Sequence, residues 1–346
     1  MKALLKHKIK SVFPALIYGG VVMVASVVLT FIQINQYSIY ELDFGTFYME
    51  RLSNNFLLIP VALVPIAVAM GMILTQEYGK RDQEDFLGGL PYKRNVRFLI
   101  SILPGVIYFL AYGLIVSVAV IISHSLSRGE FEEIYLMSSN YETLMQMDGV
   151  GNALLRIAQI TLTLLSLFFT TVFASVTGRN AVVTILIMVG IPVFPLIFCN
   201  AVGQVADIPM LTDIERYTGL SGLFDEPYFI SDGYEWYVSY ESSLERTIVA
   251  GISIIIWCLL SYYFATKSDR LYGKLVVSKI LEKIFVFMSG IYAACFSIYI
   301  IENFDFNTEI KLIIMILVFV AIEIALYKVI TGKGKYDYLN VKGKKQ

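Results

Sequence analysis

Long apolar stretches without charged residues alternate along this chain with shorter charged linkers. Apolarity alone predicts eight spans, at residues 11–33, 55–75, 99–123, 157–177, 181–205, 247–266, 284–301 and 312–327. A helix needs about 20 apolar residues to cross a bilayer, and the uncharged runs Ser11–Tyr40 and Phe98–Ser127 exceed that length. The pattern therefore predicts an all-α polytopic membrane protein with about eight transmembrane helices.

Basic residues fall mostly on one side of this arrangement. The alternate linkers 1–10, 76–98, 178–180, 267–283 and 328–346 hold 21 of the 27 Lys and Arg residues. Linkers rich in Lys and Arg stay in the cytoplasm, so we expect both termini to be cytoplasmic. Acidic residues follow the opposite pattern, with 20 of the 28 in the remaining linkers. The net charge of −1 is therefore an average over two faces of opposite charge.

The composition supports a membrane protein and argues against several kinds of site. Only 16% of the residues are charged, whereas a soluble domain carries about 25%. Cys199, Cys258 and Cys295 all fall within predicted spans, where they act as small apolar residues and form no disulfide or metal pattern. His7 and His124 fall at opposite ends of the predicted topology, which excludes a metal centre built on histidine. We expect no metal site and no catalytic residue.

The chain divides into three parts by composition. Residues 1–10 are predicted to be either an interfacial helix on the inner leaflet or a simple basic flank of the first span. Residues 11–330 form the transmembrane domain, and residues 331–346 form a basic cytoplasmic tail. Segment 206–246 of the domain is rich in acidic and aromatic residues and is expected to form an acidic outer cap. Within the cap, Tyr234–Tyr240 has the composition of a strand but alternates poorly.

Two predicted cytoplasmic linkers are long enough to bind a partner: the first inner loop, residues 76–98, and the second inner loop, residues 267–283. In the first inner loop, Phe86 and Leu90 are four residues apart within a strongly charged stretch, so a helix would place them on one face. An apolar pair on a charged helix can insert into a groove on another protein. The alternative is an ordinary interfacial loop with no partner.

The end of the first inner loop is basic. Pro91 precedes Lys93, Arg94 and Arg97, which lead into the third predicted span. Basic side chains at the end of a span usually extend to the lipid head groups, so we expect these three at the lipid surface.

Both inner loops resemble those of a known family, the permease subunits of bacterial ABC transporters in the type-2 exporter class. In the first loop the matching residues are Glu84, Asp85, Phe86, Leu87, Leu90, Pro91, Lys93 and Arg94. In the second loop they are Lys267, Asp269, Tyr272, Gly273, Lys279 and Lys283, with Tyr272 in place of the family's small residue. The turn 177–180 also looks like the inner turn of such permeases. The usual core of the class has six spans, whereas eight are predicted here.

The resemblance implies a permease subunit in a bacterial plasma membrane that exports a peptide, an antibiotic or a lipid-like substrate. A separate ATP-binding subunit would hold ATP and magnesium and would dock on the two inner loops. Its docking residues would be Glu84, Asp85, Phe86, Leu87, Leu90, Pro91, Arg94, Asp269, Tyr272 and Gly273. A second permease chain, identical or a sister, would complete the transporter, with membrane lipid but no nucleic acid as further partners. The absence of a G-x-x-x-x-G-K-[ST] sequence agrees with hydrolysis on another chain.

The fifth predicted span carries prolines and amides near its outer end. Pro192 and Pro195 precede Asn200 and Gln204, so we expect a broken helix there. Asn200 and Gln204, together with Glu323 in the last span, are candidates for lining a pathway.

Three other functions compete with the permease. An ion-coupled secondary transporter or channel would use Glu323, an ionisable residue inside a predicted span. A membrane-embedded enzyme would need motifs such as H-E-x-x-H or G-x-S-x-G, which the sequence lacks. A sensor or scaffold would make use of the acidic outer cap.

Overall fold

The computed structural model describes residues 2–34, 48–78, 92–136, 150–178, 181–206, 228–231, 236–239, 241–266, 276, 278–301 and 308–331. These parts of the chain are almost entirely helical. The helices are α1 (Lys2–Ser11), α2 (Phe13–Ile34), α3 (Tyr48–Thr75), α4 (Arg94–Leu136), α5 (Val150–Thr177), α6 (Ala181–Ala206), α7 (Glu241–Thr266), α8 (Lys279–Ile301) and α9 (Thr308–Thr331), with a 3₁₀ turn at Gln76–Tyr78. Each of the eight predicted apolar stretches falls almost wholly within one of the helices α2 to α9.

Five helices are long and apolar enough to cross a membrane when only the described residues are considered. They are Phe13–Phe31, Arg94–Leu126, Ala153–Thr177, Thr247–Thr266 and Ile280–Ile298. Two shorter apolar helices, Ala62–Tyr78 and Ala181–Phe194, lie in α3 and α6. The chain is therefore a multi-pass membrane protein.

Two details differ from the sequence predictions. A two-stranded antiparallel hairpin, β1 (Tyr228–Ser231) and β2 (Trp236–Ser239), lies in the segment expected to form the outer cap. The alternation of apolar and polar residues in Tyr234–Tyr240 is imperfect, but β2 pairs with β1 over only four residues, so a short stretch is enough. The expected break in the fifth span is wrong, since α6 continues past both prolines to Ala206.

The chain folds into two compact units. Unit 1 contains residues 1–176 and 216–266, and unit 2 contains residues 177–215 and 267–346. Unit 1 thus holds five of the eight long helices that the structure describes, α2 to α5 and α7, together with α1 and the hairpin. Unit 2 holds α6, α8 and α9.

Helix α5 is the centre of unit 1 and is buried over most of its apolar length. Glycines on neighbouring helices allow their backbones to come close to it, as is common between membrane helices. A Cβ atom on Gly71 of α3 would lie 2.8 Å from the Thr171 Cβ, and one on Gly113 of α4 would lie 2.9 Å from the Thr161 Cγ2. The ring of Phe168, fully buried, packs against Phe109 of α4 at a centroid distance of 6.0 Å.

Unit 2 is a small antiparallel arrangement with a thin core. Helix α8 packs along α9 and also contacts α6. Ala201, Cys295 and Ile298 form a buried apolar cluster among the described side chains. At the α8–α9 contact, the Phe287 and Phe319 rings meet edge to face at 5.9 Å.

Candidate functional site

Most of the predicted docking residues lie outside the described part of the chain. These are Glu84, Asp85, Phe86, Leu87, Leu90, Pro91, Asp269, Tyr272 and Gly273. Arg94 is described, and so are the helix ends from which both inner loops extend.

Arg94 connects the end of the first inner loop with the start of the second. It is the first residue of α4, and its Nε donates a hydrogen bond of 2.8 Å to the Ala265 carbonyl oxygen. Ala265 lies in the last turn of α7, where carbonyl groups have no partner within the helix. A guanidinium at this position satisfies one of those carbonyls and interacts favourably with the negative end of the helix dipole. The helix ends flanking the two predicted docking loops are therefore joined in unit 1.

Helix α1 docks beside this junction through one lysine. Lys8 retains only 3% of its side-chain exposure, and its Nζ donates a 2.9 Å hydrogen bond to the Leu74 carbonyl oxygen and an ion-paired hydrogen bond to the Glu77 carboxylate. Burial lowers the pKa of Lys8, while the carboxylate of Glu77 opposes this shift by stabilising the charged amine. Lys8 thus anchors α1 to the end of α3, whereas Lys2, Lys6 and Lys10 remain exposed.

Aromatic packing holds the same region together. The Tyr78 ring meets Phe98 of α4 edge to face at a centroid distance of 5.6 Å, and Phe98 meets Tyr262 of α7 at 6.2 Å. The Tyr78 hydroxyl lies 3.5 Å from the Ser101 Oγ. The turn after α3 is therefore connected with α4 and α7 through one row of three aromatic rings, of which Tyr78 and Phe98 are buried and Tyr262 is exposed. We call the region formed by α1, Gln76–Tyr78 and the first turn of α4 the basic end of unit 1.

Arg97 corrects one sequence expectation. Instead of extending to the lipid surface, it lies within the protein with 8% exposure. Its Nε and Nη1 atoms are enclosed and form no hydrogen bond with any residue that the structure describes. Lys93 is exposed and Arg94 is half-buried, so the three basic residues occupy different environments. No sequence pattern indicated this difference, because the burial of Arg97 depends on neighbouring elements.

The second inner loop is also held at a point within unit 2. Val276 forms an antiparallel backbone bridge with Gly178. Gly178 lies in the short turn between α5 and α6 that resembles the inner turn of ABC permeases. The loop resemblance thus involves two segments that are paired in the structure.

The pathway candidates lie on two helices of unit 2. Asn200 and Gln204 lie on α6, and their side chains are outside the described set. Glu323 lies on α9, partly buried, with its Cγ 3.4 Å from the position of a Cβ on Gly290 of α8. Its carboxylate makes no hydrogen bond or ion pair with any side chain that the structure describes, a set that does not include Lys328.

Comparisons with protein-family models, curated proteins and solved structures find no match to this chain. Among the described residues, no group of three or more His, Cys, Asp or Glu side chains could hold a metal ion. The basic end carries exposed lysines, a guanidinium bonded to a helix end and a buried guanidinium. These groups can hold a helix junction in place and attract an anionic partner.

Proposed function

We propose that this chain is the transmembrane permease subunit of an ATP-driven exporter. The ATPase is a separate subunit that docks on the first and second inner loops, and the transported molecule is a peptide, an antibiotic or a lipid-like substrate. The transporter contains a second permease chain, the same or a sister, in a bacterial plasma membrane. Multi-pass helical architecture and the loop resemblance support this proposal.

The observation that carries the proposal is the hydrogen bond from Arg94 to the carbonyl of Ala265. A force applied to the first inner loop acts on the start of α4 at Arg94. The Arg94–Ala265 hydrogen bond transmits this force to the end of α7. An ATPase that displaces the loops would therefore move two membrane helices together. A conformational change of this kind requires that the nucleotide-bound ATPase bind one state of the permease better than the other.

The test is co-purification from a native bacterial host in a mild detergent, with mass spectrometry of the bound proteins. We expect a cytoplasmic ATP-binding protein at a stoichiometric amount. Phe86→Asp should remove it, because a charge cannot enter an apolar groove without a large desolvation cost.

Gln76→Asp is the matched control, since it adds the same charge at an exposed position where the same loop begins. This variant should retain the ATPase. A chain that purifies with no nucleotide-binding protein would refute the proposal, and equal loss in both variants would show that charge alone disturbs the loop.

The proposal includes eight spans with both termini in the cytoplasm. The count follows from the eight apolar stretches and the side from the distribution of Lys and Arg. Single cysteines at Lys2 and Lys345, in a variant lacking the three native cysteines, should react with a membrane-impermeant maleimide only after the cells are opened. Labelling of only one terminus in intact cells would mean that the number of spans is odd.

A second candidate function is an ion-coupled carrier, favoured by the half-buried carboxylate of Glu323. An ionisable side chain within a span costs free energy, and such residues are rare and commonly mark ion pathways. Glu323→Gln would abolish transport by such a carrier, whereas an ATP-driven permease would retain most of its activity. Glu309→Gln is the control, because Glu309 is exposed in the first turn of the same helix.

A further inference from the structure

Helix α1 has two sides of different character. One side is docked on unit 1 through Lys8, whose side chain is 3% exposed. The other side carries Lys2, Lys6 and Lys10, all three exposed, which we call the lysine face. These lysines are four residues apart, so the helix places them within about 80° of one another. Lys8 is two residues from both Lys6 and Lys10 and therefore lies opposite the lysine face.

The lysine face continues into the exposed apolar surface of α2. The N–H groups of Val12 and Leu16 donate backbone hydrogen bonds of 3.3 and 2.9 Å across the junction, each to the residue four positions earlier. The helical repeat is therefore kept from α1 into α2. Phe13 and Ile17 follow Lys10 by three and seven residues and so lie on the same side, with exposures of 56% and 54%. One side of the α1–α2 segment is thus cationic and then apolar.

This sequence of charge and apolarity matches the layers of a lipid bilayer. The candidate span begins at Phe13, and Lys10 and Lys6 precede it by about 4.5 and 10 Å along a helix. The head-group layer on each side of a bilayer is about 5–8 Å thick. Flexible lysine side chains at these positions reach the head groups. Neither α1 nor α2 contains an acidic residue that would compete for the lysines.

We propose that the lysine face of α1 binds the head groups of anionic phospholipids. Lys8 holds the face toward the lipid, because its bonds to the Leu74 carbonyl oxygen and the Glu77 carboxylate fix the opposite side of the helix. Helix α1 is thus clamped between lipid and the end of α3, where the first inner loop begins. A simple basic flank would attract the same lipids without this fixed orientation. The clamp does not depend on the proposed ATPase.

The experiment measures which lipid lies next to α1 in the full-length chain. Phe13→Cys, in a variant lacking the three native cysteines, carries a fluorophore at an exposed position beside the lysine face. The protein is placed in nanodiscs of phosphatidylcholine and phosphatidylglycerol, with a quenching spin label on the acyl chain of one lipid or the other. The ratio of quenching by the two labelled lipids gives the local preference. We expect phosphatidylglycerol to be preferred about fivefold or more, since each lysine near an anionic surface adds to the attraction.

Charge removal from the lysine face should abolish this preference. The ratio should fall to about one, its value without electrostatic attraction, in the combined variant Lys2→Gln, Lys6→Gln and Lys10→Gln. The matched control removes three charges from the basic tail and should keep the full preference: Lys342→Gln, Lys344→Gln and Lys345→Gln. The thermal unfolding midpoint in neutral detergent should equal that of the wild type in both variants. A lower midpoint in the lysine-face variant alone would mean that these lysines stabilise the chain itself.

Lys8→Met separates a clamped helix from a basic flank. This variant releases α1 from the end of α3 but leaves the lysine face intact, so the preference for phosphatidylglycerol should fall to about half or less. An unchanged preference would show that lipid attraction needs no docked orientation and would overturn the clamp. A ratio near one in the wild type would overturn lipid binding by this face. Equal losses in the lysine-face and tail variants would assign the attraction to the general charge of the protein.

Discussion

Helix α5 in unit 1 and helix α9 in unit 2 are similar in length and apolar character, yet they use their surfaces differently. The apolar window of α5 is 83% buried. Helix α9 packs mainly on α8 and exposes large apolar side chains on its remaining faces, among them Ile313, Leu317 and Ile324.

The difference shows which interactions hold the helices of a membrane protein together. In lipid there is little hydrophobic force between helices, so close packing and hydrogen bonds must hold them together. Unit 1 has glycine contacts, an aromatic row and an ion pair at one end. Among the described residues of unit 2, the buried cluster comprises Ala201, Cys295 and Ile298, and the Phe287 and Phe319 rings meet edge to face between α8 and α9. We therefore expect unit 1 to be the more sensitive to mutation.

The largest expected effect is that of a cavity in unit 1. Phe168→Ala removes a fully buried ring and should lower the free energy of unfolding by about 3–5 kcal/mol. Phe287→Ala in unit 2 is the matched change at a residue with 52% exposure, and it should cost about 1 kcal/mol through the loss of its contact with Phe319. Unfolding in mixed detergent and SDS measures both values. Equal losses of unfolding free energy would mean that the two units are equally sensitive to mutation.

Overpacking should give the next largest effect. Gly71→Ala places a methyl group 2.8 Å from the Thr171 Cβ and 3.2 Å from the Phe168 carbonyl oxygen, which should destabilise unit 1 by about 1–3 kcal/mol. Gly190→Ala in α6 meets nothing within 4 Å, so it should stabilise that helix by about 0.5–1 kcal/mol. Changes of opposite sign in the unfolding free energies of the two variants, measured in the same SDS titration, would support the difference between the units. A neutral Gly71→Ala would argue against the close approach of α3 and α5.

The ion pair that anchors α1 should contribute a smaller amount. Lys8→Met leaves the Leu74 carbonyl and the Glu77 carboxylate without their donor. A double-mutant cycle with Glu77→Gln should give a coupling energy of about 1–2 kcal/mol, discounted for the 20% exposure of the Glu77 side chain. Lys6→Met, at an exposed position of α1, is the control and should be neutral. A coupling near zero would mean that α1 is not part of unit 1.

The smallest effect is expected at a glycine contact between α8 and α9 in unit 2. A Cβ on Gly290 would lie 2.9 Å from the Phe319 ring, so Gly290→Ala requires that ring to move. Phe319 is only half-buried and can rotate, and the cost should stay below about 1 kcal/mol. Thermal unfolding in detergent would reveal a larger loss, which would mean that α8 and α9 are packed as rigidly as unit 1.

The helical architecture was predictable because apolar run length is a local property of the sequence. All eight predicted stretches correspond to helices, with ends that differ by up to 13 residues, as at α4. The extension of α4 to Leu136 was not predicted, since its last part is polar and apolarity was the criterion. The division into five and three helices also depends on contacts between distant segments, which no local pattern records.

The site was predictable only in part, because it also depends on contacts between distant segments. Charge patterning indicated the basic inner linkers, but it treated Lys8, Arg94 and Arg97 as equivalent surface cations. Their partners lie far along the chain, as with Ala265 for Arg94, which is 171 residues away. Periodicity within α1 or α4 contains no information about such partners.

The docking of α1 also sets an order of events during biosynthesis. The partners of Lys8 lie 66 and 69 residues later in the chain, so α1 leaves the ribosome well before α3 is complete. At about 5–20 residues per second, this delay is on the order of several seconds. During that time Lys8 is free to act with Lys2, Lys6 and Lys10 in orienting α2 in the membrane. The same lysine can thus serve first as a topology signal during insertion and later as a buried anchor in the finished protein.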